Sequence, residues 1–372
     1  MEKPLSLSEV FVSITDPRQP AKVRYDLVEI LIVVVCAVVS GADTVTEIEL
    51  WAKEKLEWLR QYVPLRCGIP AHDTIGRILA LIDPGEFALA FQRWAGSVIP
   101  ALGDQVVAID GKTSRRTRSK DKDPLHLVSA FAAHYRLVVG QAAVADKSNE
   151  KTAIAQLLET LALKGCIVTL DAMGTDPNIA QAIRARGADY VLAVKDNQKR
   201  LAESIRDFFA DFQRAPAQTP HQVFETIEKD HGRLEIRRCY VFDQLRCLDR
   251  PERWPDLASF AVVESQRTIG DKTTCERRFY LSSLAPDAEK LAGAVRQHWT
   301  VENNLHWSMD VSFADDQMRL RTQYAAHNLA LLKQWVLNLF RLDPTKRKGG
   351  VKARRLLAAT SDAYRAQLLG WA

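Results

Sequence analysis

The spacing of apolar residues changes character at residue 106. Before it, the spacing is helical. Residues 27–39 are apolar at nearly every position, which predicts a helix buried on all sides. Residues 44–62 predict an amphipathic helix, with Ile48, Trp51, Leu56 and Leu59 in helical register and charges between them. Pro64 and Gly68-Ile-Pro70 break it. His72-Asp-Thr74 can cap a further helix through Leu81, and Asp83-Pro84 opens another through Val98. After residue 106 the apolar runs shorten and alternate, which is the pattern of strands.

The expected strands are 106–111, 125–134, 137–144, 166–171 and 188–195, with helices at 149–163, 176–186 and 198–212. Three strands, helix, strand, helix, strand is the order of a ribonuclease-H-like α/β core. In such a core the first and fourth strands are neighbours. Asp110 and Asp171 each end an apolar run, so they would stand side by side. Residues 214–284 interrupt the core as a β-rich insertion, with a hairpin around His231-Gly232 and further strands near 260–264 and 278–282. Helical spacing returns at Pro286 and ends in a long apolar helix at 322–340. The expected fold class is therefore α/β. A helical N-terminal domain spans 1–105, for DNA binding or dimerisation. The ribonuclease-H-like domain spans 106–213 and 285–343, the insertion 214–284 and a basic tail 344–372.

The totals add little except where charge is uneven. The chain has 372 residues, 47% of them hydrophobic, enough for a large core and more than one domain. Residues 1–105 hold 10 Lys or Arg against 14 Asp or Glu, which argues against this part as the main contact to a DNA backbone. Residues 317–372 hold 11 against 2, a density that suits a polyanion or a solvated surface. Six cysteines without a Cys-x-x-Cys pair read as reduced thiols of a cytoplasmic protein, not as a zinc or disulfide framework. The apolar run at 30–39 is too short to cross a bilayer, so no membrane partner and no signal peptide are expected.

The candidate chemistry begins at Asp110. Lys112, Arg115, Arg116, Arg118, Lys120 and Lys122 follow it at once. A carboxylate at a strand end needs a counter-charge, and a divalent cation supplies one, although a turn-capping aspartate is the commoner reading of any single such residue. The other unusual stretch is 296–311. On a regular helix, His298, Glu302, His306 and Asp310 form one polar stripe beside Val301, Leu305 and Met309. Trp299 and Trp307 read as core or interface anchors. Zinc on the histidine stripe lacks a third soft ligand nearby. A helix carboxylate facing the two aspartates would complete a triad able to bind two Mg²⁺ ions.

In these residues the chain resembles the DDE transposases of bacterial insertion sequences, specifically the H-repeat-associated group. The matching stretches are Asp16-Pro-Arg18, Ile69-Pro-Ala-His-Asp-Thr74, Ala108-Ile-Asp-Gly-Lys112, Lys147-Ser-Asn-Glu150, Thr169-Leu-Asp-Ala-Met-Gly174, Gly187-Ala-Asp-Tyr190, His231-Gly-Arg233, His298-Trp-Thr-Val-Glu-Asn303 and Leu305-His-Trp307. They run in order over nearly the whole chain. The resemblance implies a catalytic, metal-binding triad of Asp110, Asp171 and Glu302. It implies two Mg²⁺ ions, with Mn²⁺ able to substitute, and DNA cleavage followed by strand transfer. The implied partners are terminal inverted repeats, target DNA and a second copy of the chain in the synaptic complex. Related enzymes carry a tyrosine–arginine–glutamate–lysine signature around the last acid. Counted from Glu302, its other places hold Val295, His298 and Met309, so Arg296, Arg319 or Arg321 would take over phosphate contacts. The expected DNA-binding residues are Lys112, Arg115, Arg116, Arg118, His298, Arg296, Arg319, Arg321, Lys346, Arg347 and Lys348. Two rival readings use the same residues: a related endonuclease without strand transfer, and a non-catalytic DNA-binding relic. The Asp315-Asp316 pair has no assigned role.

Overall fold

The computed structural model describes residues 4–99, 102–119, 123–144, 149–230, 232–343, 345 and 348–371. The N-terminal part is helical: α1 (Leu7–Phe11), α2 (Leu27–Val39), α3 (Val45–Glu54), α4 (Leu56–Leu59), α5 (His72–Leu81) and α6 (Pro84–Val98). Local chemistry sets two of the starts. Asp26 and Asp83 accept the amides of Glu29 and Glu86 at 3.0 and 2.9 Å, and Pro84 occupies a first-turn position that needs no N–H. α5 starts differently from expectation. The His72 amide donates to Glu49 of α3 at 2.7 Å, so its cap comes from another helix. The helix expected over 44–62 breaks at Lys55, whose ammonium reaches Asp362 at 2.9 Å.

β1 (Val106–Ser114), β2 (Leu125–Ala132) and β3 (Leu137–Ala143) form an antiparallel meander. α7 (Glu150–Thr160) leads to β4 (Ile167–Leu170), and α8 (Pro177–Ala185) to β5 (Asp189–Val194). α9 (Lys199–Arg214) then leads to β6 (Gln222–Asp230), β7 (Arg233–Phe242), β8 (Ser259–Ile269) and β9 (Lys272–Ser282). All belong to one sheet, in the order β3-β2-β1-β4-β5-β9-β8-β7-β6. β1 and β4 are parallel neighbours, as the ribonuclease-H-like order requires. The β-rich insertion is present and continues the core sheet, because β9 pairs antiparallel with β5.

α10 (Ala288–His298), α11 (Trp307–Phe313) and α12 (Ala325–Arg341) follow. Every residue from Ala325 to Phe340 is buried. α12 packs between α2, α5 and α6 on one side and β2 and β3 on the other. Its polar side chains close backbone gaps. Asn328 Nδ2 donates to the carbonyls of Leu79 and Ile82 at the end of α5, at 2.8 and 3.0 Å. Asn338 serves both the N–H and the C=O of Val138 on edge strand β3, at 2.9 and 2.7 Å. One apolar core therefore runs from the N-terminal helices through α12 to the sheet. A second core fills the opposite face under α7, α8 and α9.

The C-terminal segment corrects the sequence reading. The described part of the basic tail forms two helices, α13 (Val351–Thr360) and α14 (Asp362–Leu368), and not all of its charge lies on a solvated surface. Arg355 and Arg365 are buried, at 5% and 0% exposure. The Arg365 guanidinium lies 3.9 Å from the Trp58 ring centre, and Trp371 stacks on Tyr62 at 4.4 Å. Arginine density was a poor guide here because stacked and hydrogen-bonded guanidinium groups can be buried. Among the described residues no helix is long and apolar enough to cross a membrane.

Candidate active site

The parallel register of β1 and β4 ends at the pair Ile109–Leu170. Asp110 and Asp171 are the next residues: Asp110 lies within β1, still paired with Ser129 of β2, and Asp171 follows the last residue of β4, so the two stand side by side at the carboxyl end of β4, where α/β sheets place their sites. The runs before them, Val106 to Ile109 and Ile167 to Leu170, are buried throughout. Asp171 is fixed by its own turn: Oδ1 accepts the Gly174 amide at 3.0 Å. Thr175 Oγ1 ties that turn to β5, lying 2.7 Å from the Ala193 carbonyl and 2.9 Å from that of Asp171.

Glu302, the third acid expected from the sequence, lies on the helical rod between α10 and α11. That rod contains a π-turn over Val301–His306. A wider turn breaks the even four-residue stripe expected from the sequence, and such turns are frequent at functional sites. His298 Nδ1 meets Thr169 Oγ1 of β4 at 2.9 Å. His306 Nδ1 lies 3.5 Å from Asp110 Oδ2, and Asp310 holds Lys112 Nζ at 2.7 Å. Glu302 is the exposed member of the four.

Charge in this neighbourhood is unbalanced. Burial pushes the Asp110 carboxyl up to about 7, and the charges of Asp171, Glu302 and Glu150 push the same way. Burial also raises Asp171, with Glu150 adding to it and the Gly174 and Met173 amides and the Lys195 charge opposing. Lys112 is the nearest lysine in sequence, but Asp310 and Asp316 hold it, at 2.7 and 3.7 Å. His306 stands within pairing distance of Asp110. Burial and the Lys112 charge push its imidazole down to about 4, so it is neutral near pH 7 and supplies no counter-charge.

The expected DNA contacts divide. Arg115, Arg116 and Arg118 are exposed on the segment leaving β1, and Arg319, Arg321 and Lys348 are exposed as well. Arg115 lies 3.9 Å from Asp316. Arg296 is exposed but pairs with Glu228 of β6 at 3.3 Å. His298 does not stand as a cation toward DNA: it bonds Thr169, and burial with the nearby Arg278 charge pushes it down to about 4. Lys112 is engaged by Asp310, as above. Lys346 and Arg347 lie outside the described residues. Val295 and Met309, in the places of the relatives' tyrosine and lysine, are buried in apolar cores.

The sequence matches a known family. Residues 8–95 match the model described as DDE_Tnp_1-associated, and residues 101–339 match the model of the transposase DDE domain. The chain belongs to the DDE transposase family. It is 37% identical to the "H repeat-associated putative transposase YhhI" of Escherichia coli K12, covering 98% of this chain and 97% of that protein. It is 38% identical to the "Putative transposase YncI" of Escherichia coli O157:H7, covering 98% and 94%. A shorter relative named "Inactive transposase YbfQ", from Escherichia coli K12, is 44% identical but covers 18% of this chain and 83% of its own. Among solved structures, a piggyBac transposase synaptic complex with hairpin DNA gives a TM-score of 0.45 at 9% identity over 98% of this chain and 77% of that one, too distant to argue from.

Two residues of this neighbourhood were not singled out as site residues by sequence. Glu150 opens α7, and His126 lies on β2; His126 Nε2 and Glu150 Oε2 are 3.1 Å apart. An acid in the first turn of a helix is so ordinary that its local pattern carries no functional signal. Only its place within the Lys147-Ser-Asn-Glu150 stretch marked it.

Proposed function

We propose that this transposase cuts DNA at the ends of an insertion sequence and joins the freed ends to target DNA, with Asp110, Asp171 and Glu302 as the acids that hold a divalent cation. The observation that carries this reading is the Asp110 carboxyl, raised to about 7 beside acids that no lysine or arginine pairs with among the described residues. The donor set is carboxylate oxygen, which suits a hard cation such as Mg²⁺. Among the described residues no three His, Cys, Asp or Glu side chains already converge on one metal position, so occupancy requires side-chain rotation. Exposed Glu302 is free to make it. Bound there, Mg²⁺ (two ions, with Mn²⁺ as substitute) would supply charge neutralisation at the scissile phosphate and at the attacking oxygen.

The chain's own residues do the positioning. The buried strands hold Asp110 and Asp171 still, and the Gly174 amide aims Asp171. Arg115, Arg116 and Arg118 contact phosphates flanking the scissile one. Water attacks phosphorus, the P–O3′ bond breaks, and the products are a 3′-hydroxyl and a 5′-phosphate. That 3′-oxygen then attacks a target phosphodiester, forming a new P–O bond and releasing a target 3′-hydroxyl. Two copies of the chain, one at each terminal repeat, would form the synapse.

The test is incubation of the purified protein with Mg²⁺ and DNA from the flanks of its own gene. Cleaved and joined products are expected. Glu302→Gln should abolish single-turnover cleavage while binding in Ca²⁺ persists. Asp310→Asn should retain cleavage, since Asp310 is spent on Lys112. Robust cleavage by Glu302→Gln with a dead Asp310→Asn would overturn the choice of third acid. Cleavage without joining would identify an endonuclease, and neither reaction a DNA-binding relic.

A further inference from the structure

Gly111, the residue after Asp110, is a glycine for reasons of space. A Cβ there would stand 2.6 Å from His126 Nε2 and 3.0 Å from the Glu150 carboxyl carbon. Any other residue would push one of those side chains away. The cleared space lets Glu150 lie over β1 with its side chain only 11% exposed. His126 clamps it, with Nε2 at 3.1 Å from Oε2. The other ring nitrogen, Nδ1, lies 2.7 Å from Thr113 Oγ1. When the Thr113 hydroxyl donates to Nδ1, Nε2 carries the hydrogen and donates it to Glu150. The relay Thr113–His126–Glu150 thus fixes both the tautomer and the carboxylate, beside two acids that already sense its charge.

We propose that Glu150, clamped by His126 in the space Gly111 leaves, is a fourth carboxylate of this site and would join Asp110 and Asp171 in holding a divalent cation. The inference rests on the reading of that site as a cation site. The simpler account is that Glu150 only favours the start of α7, where an acid contributes about 0.3–1 kcal/mol through the helix dipole. That role needs neither the vacancy at Gly111 nor the histidine clamp. It also predicts nothing about cations.

The experiment is calorimetric titration of the full-length protein with Ca²⁺, without DNA, alongside thermal melts. Asp110→Asn should lose binding. Glu150→Gln, which keeps shape and removes charge, should bind about tenfold more weakly, as partners that orient metal ligands typically do. His126→Ala should weaken binding comparably, and the double variant should be no worse than Glu150→Gln alone, because the two act through one contact. Wild-type affinity in a folded Glu150→Gln, with binding lost in Asp110→Asn, would overturn this inference and leave the cation site standing. Wild-type affinity in both would overturn the cation site itself. Should Glu150→Gln fail to fold, His126→Ala decides, and wild-type affinity there counts against the proposal.

Discussion

At the C-terminal end of α2, the Arg355 guanidinium donates to the carbonyls of Val38 and Ala42 and to Asp43, at 2.9, 3.2 and 2.8 Å, and lies over the Phe313 ring at 4.4 Å. Where the pairing of β1 with β4 ends, Asp110 and Asp171 are also withdrawn from water, with Glu150 and Glu302 beside them, and no lysine or arginine among the described residues pairs with any of the four. Both places gather charge inside the protein. In the first, each charge meets its opposite and the helix carbonyls gain a cation where the dipole favours one. In the second, like charges face each other and the fold bears the repulsion. Balanced buried charge belongs to architecture. Unbalanced buried charge marks a candidate functional site.

Breaking the balanced region should give the largest effect. Arg355→Met leaves Asp43 without its partner and the α2 carbonyls without a donor. Removing one member of a buried pair typically costs about 3–5 kcal/mol, and a urea melt should show a loss of that size. Truncation at residue 344 removes the same arginine together with Arg365 and Trp371, so loss of folding is expected rather than a selective loss of DNA affinity. A truncated chain with a wild-type melt and weaker DNA binding would return the C-terminal segment to the role of a surface arm.

Neutralising the unbalanced region should do the reverse. Folded Asp110 takes its proton near pH 7, against 3.8 for an ordinary aspartate. Between those values the folded state holds the proton and the unfolded state does not. Stability of the metal-free protein therefore falls as pH rises through this window and is lowest above it. Asp110→Asn removes that slope and should stabilise the metal-free protein at pH 8 by up to about 4 kcal/mol, while abolishing cleavage. Mg²⁺ should raise the wild-type melting temperature at pH 8 and much less at pH 5, where the site is protonated. A destabilised Asp110→Asn at pH 8 would mean that the acids are structural after all.

The two regions were not equally legible in the sequence. Asp110 and Asp171 could be found because each repeats one local sign, an apolar run that stops at an acid, and because parallel pairing of the first and fourth strands follows from element order. Glu302 needed the family resemblance, since helical spacing alone offered Asp310 as well. The π-turn at Val301–His306 is invisible to any reading that assumes regular turns. Arg355 and Arg365 misled in the other direction. Charge density along a chain says nothing about which guanidinium groups find carbonyls and rings to lie against. Their partners, Val38, Asp43 and Trp58, come from the far end of the sequence.

The smallest effect on stability is expected where charge is neither balanced nor buried. Arg116 is exposed, and Arg115 approaches only Asp316, at 3.9 Å, with its own side chain 84% exposed. Surface substitutions of this kind usually change stability by less than about 0.5 kcal/mol, so Arg115→Ala with Arg116→Ala should melt like the wild type. Function should respond in a particular way. The two arginines sit directly beyond the strand that carries Asp110, so they are placed to hold the phosphates around the scissile bond rather than to supply general affinity. Removing one phosphate-binding charge should lower the salt slope of log affinity by about 0.9, a modest change for a protein that neutralises many phosphates. Cleavage at saturating DNA should fall further than binding does, because a displaced phosphate remains bound but misaligned. Single-turnover rates and salt-dependent affinities on the same DNA separate the two. Affinity reduced in step with rate, and normal turnover once DNA is saturating, would make this segment a general polyanion contact and leave alignment to the acids alone.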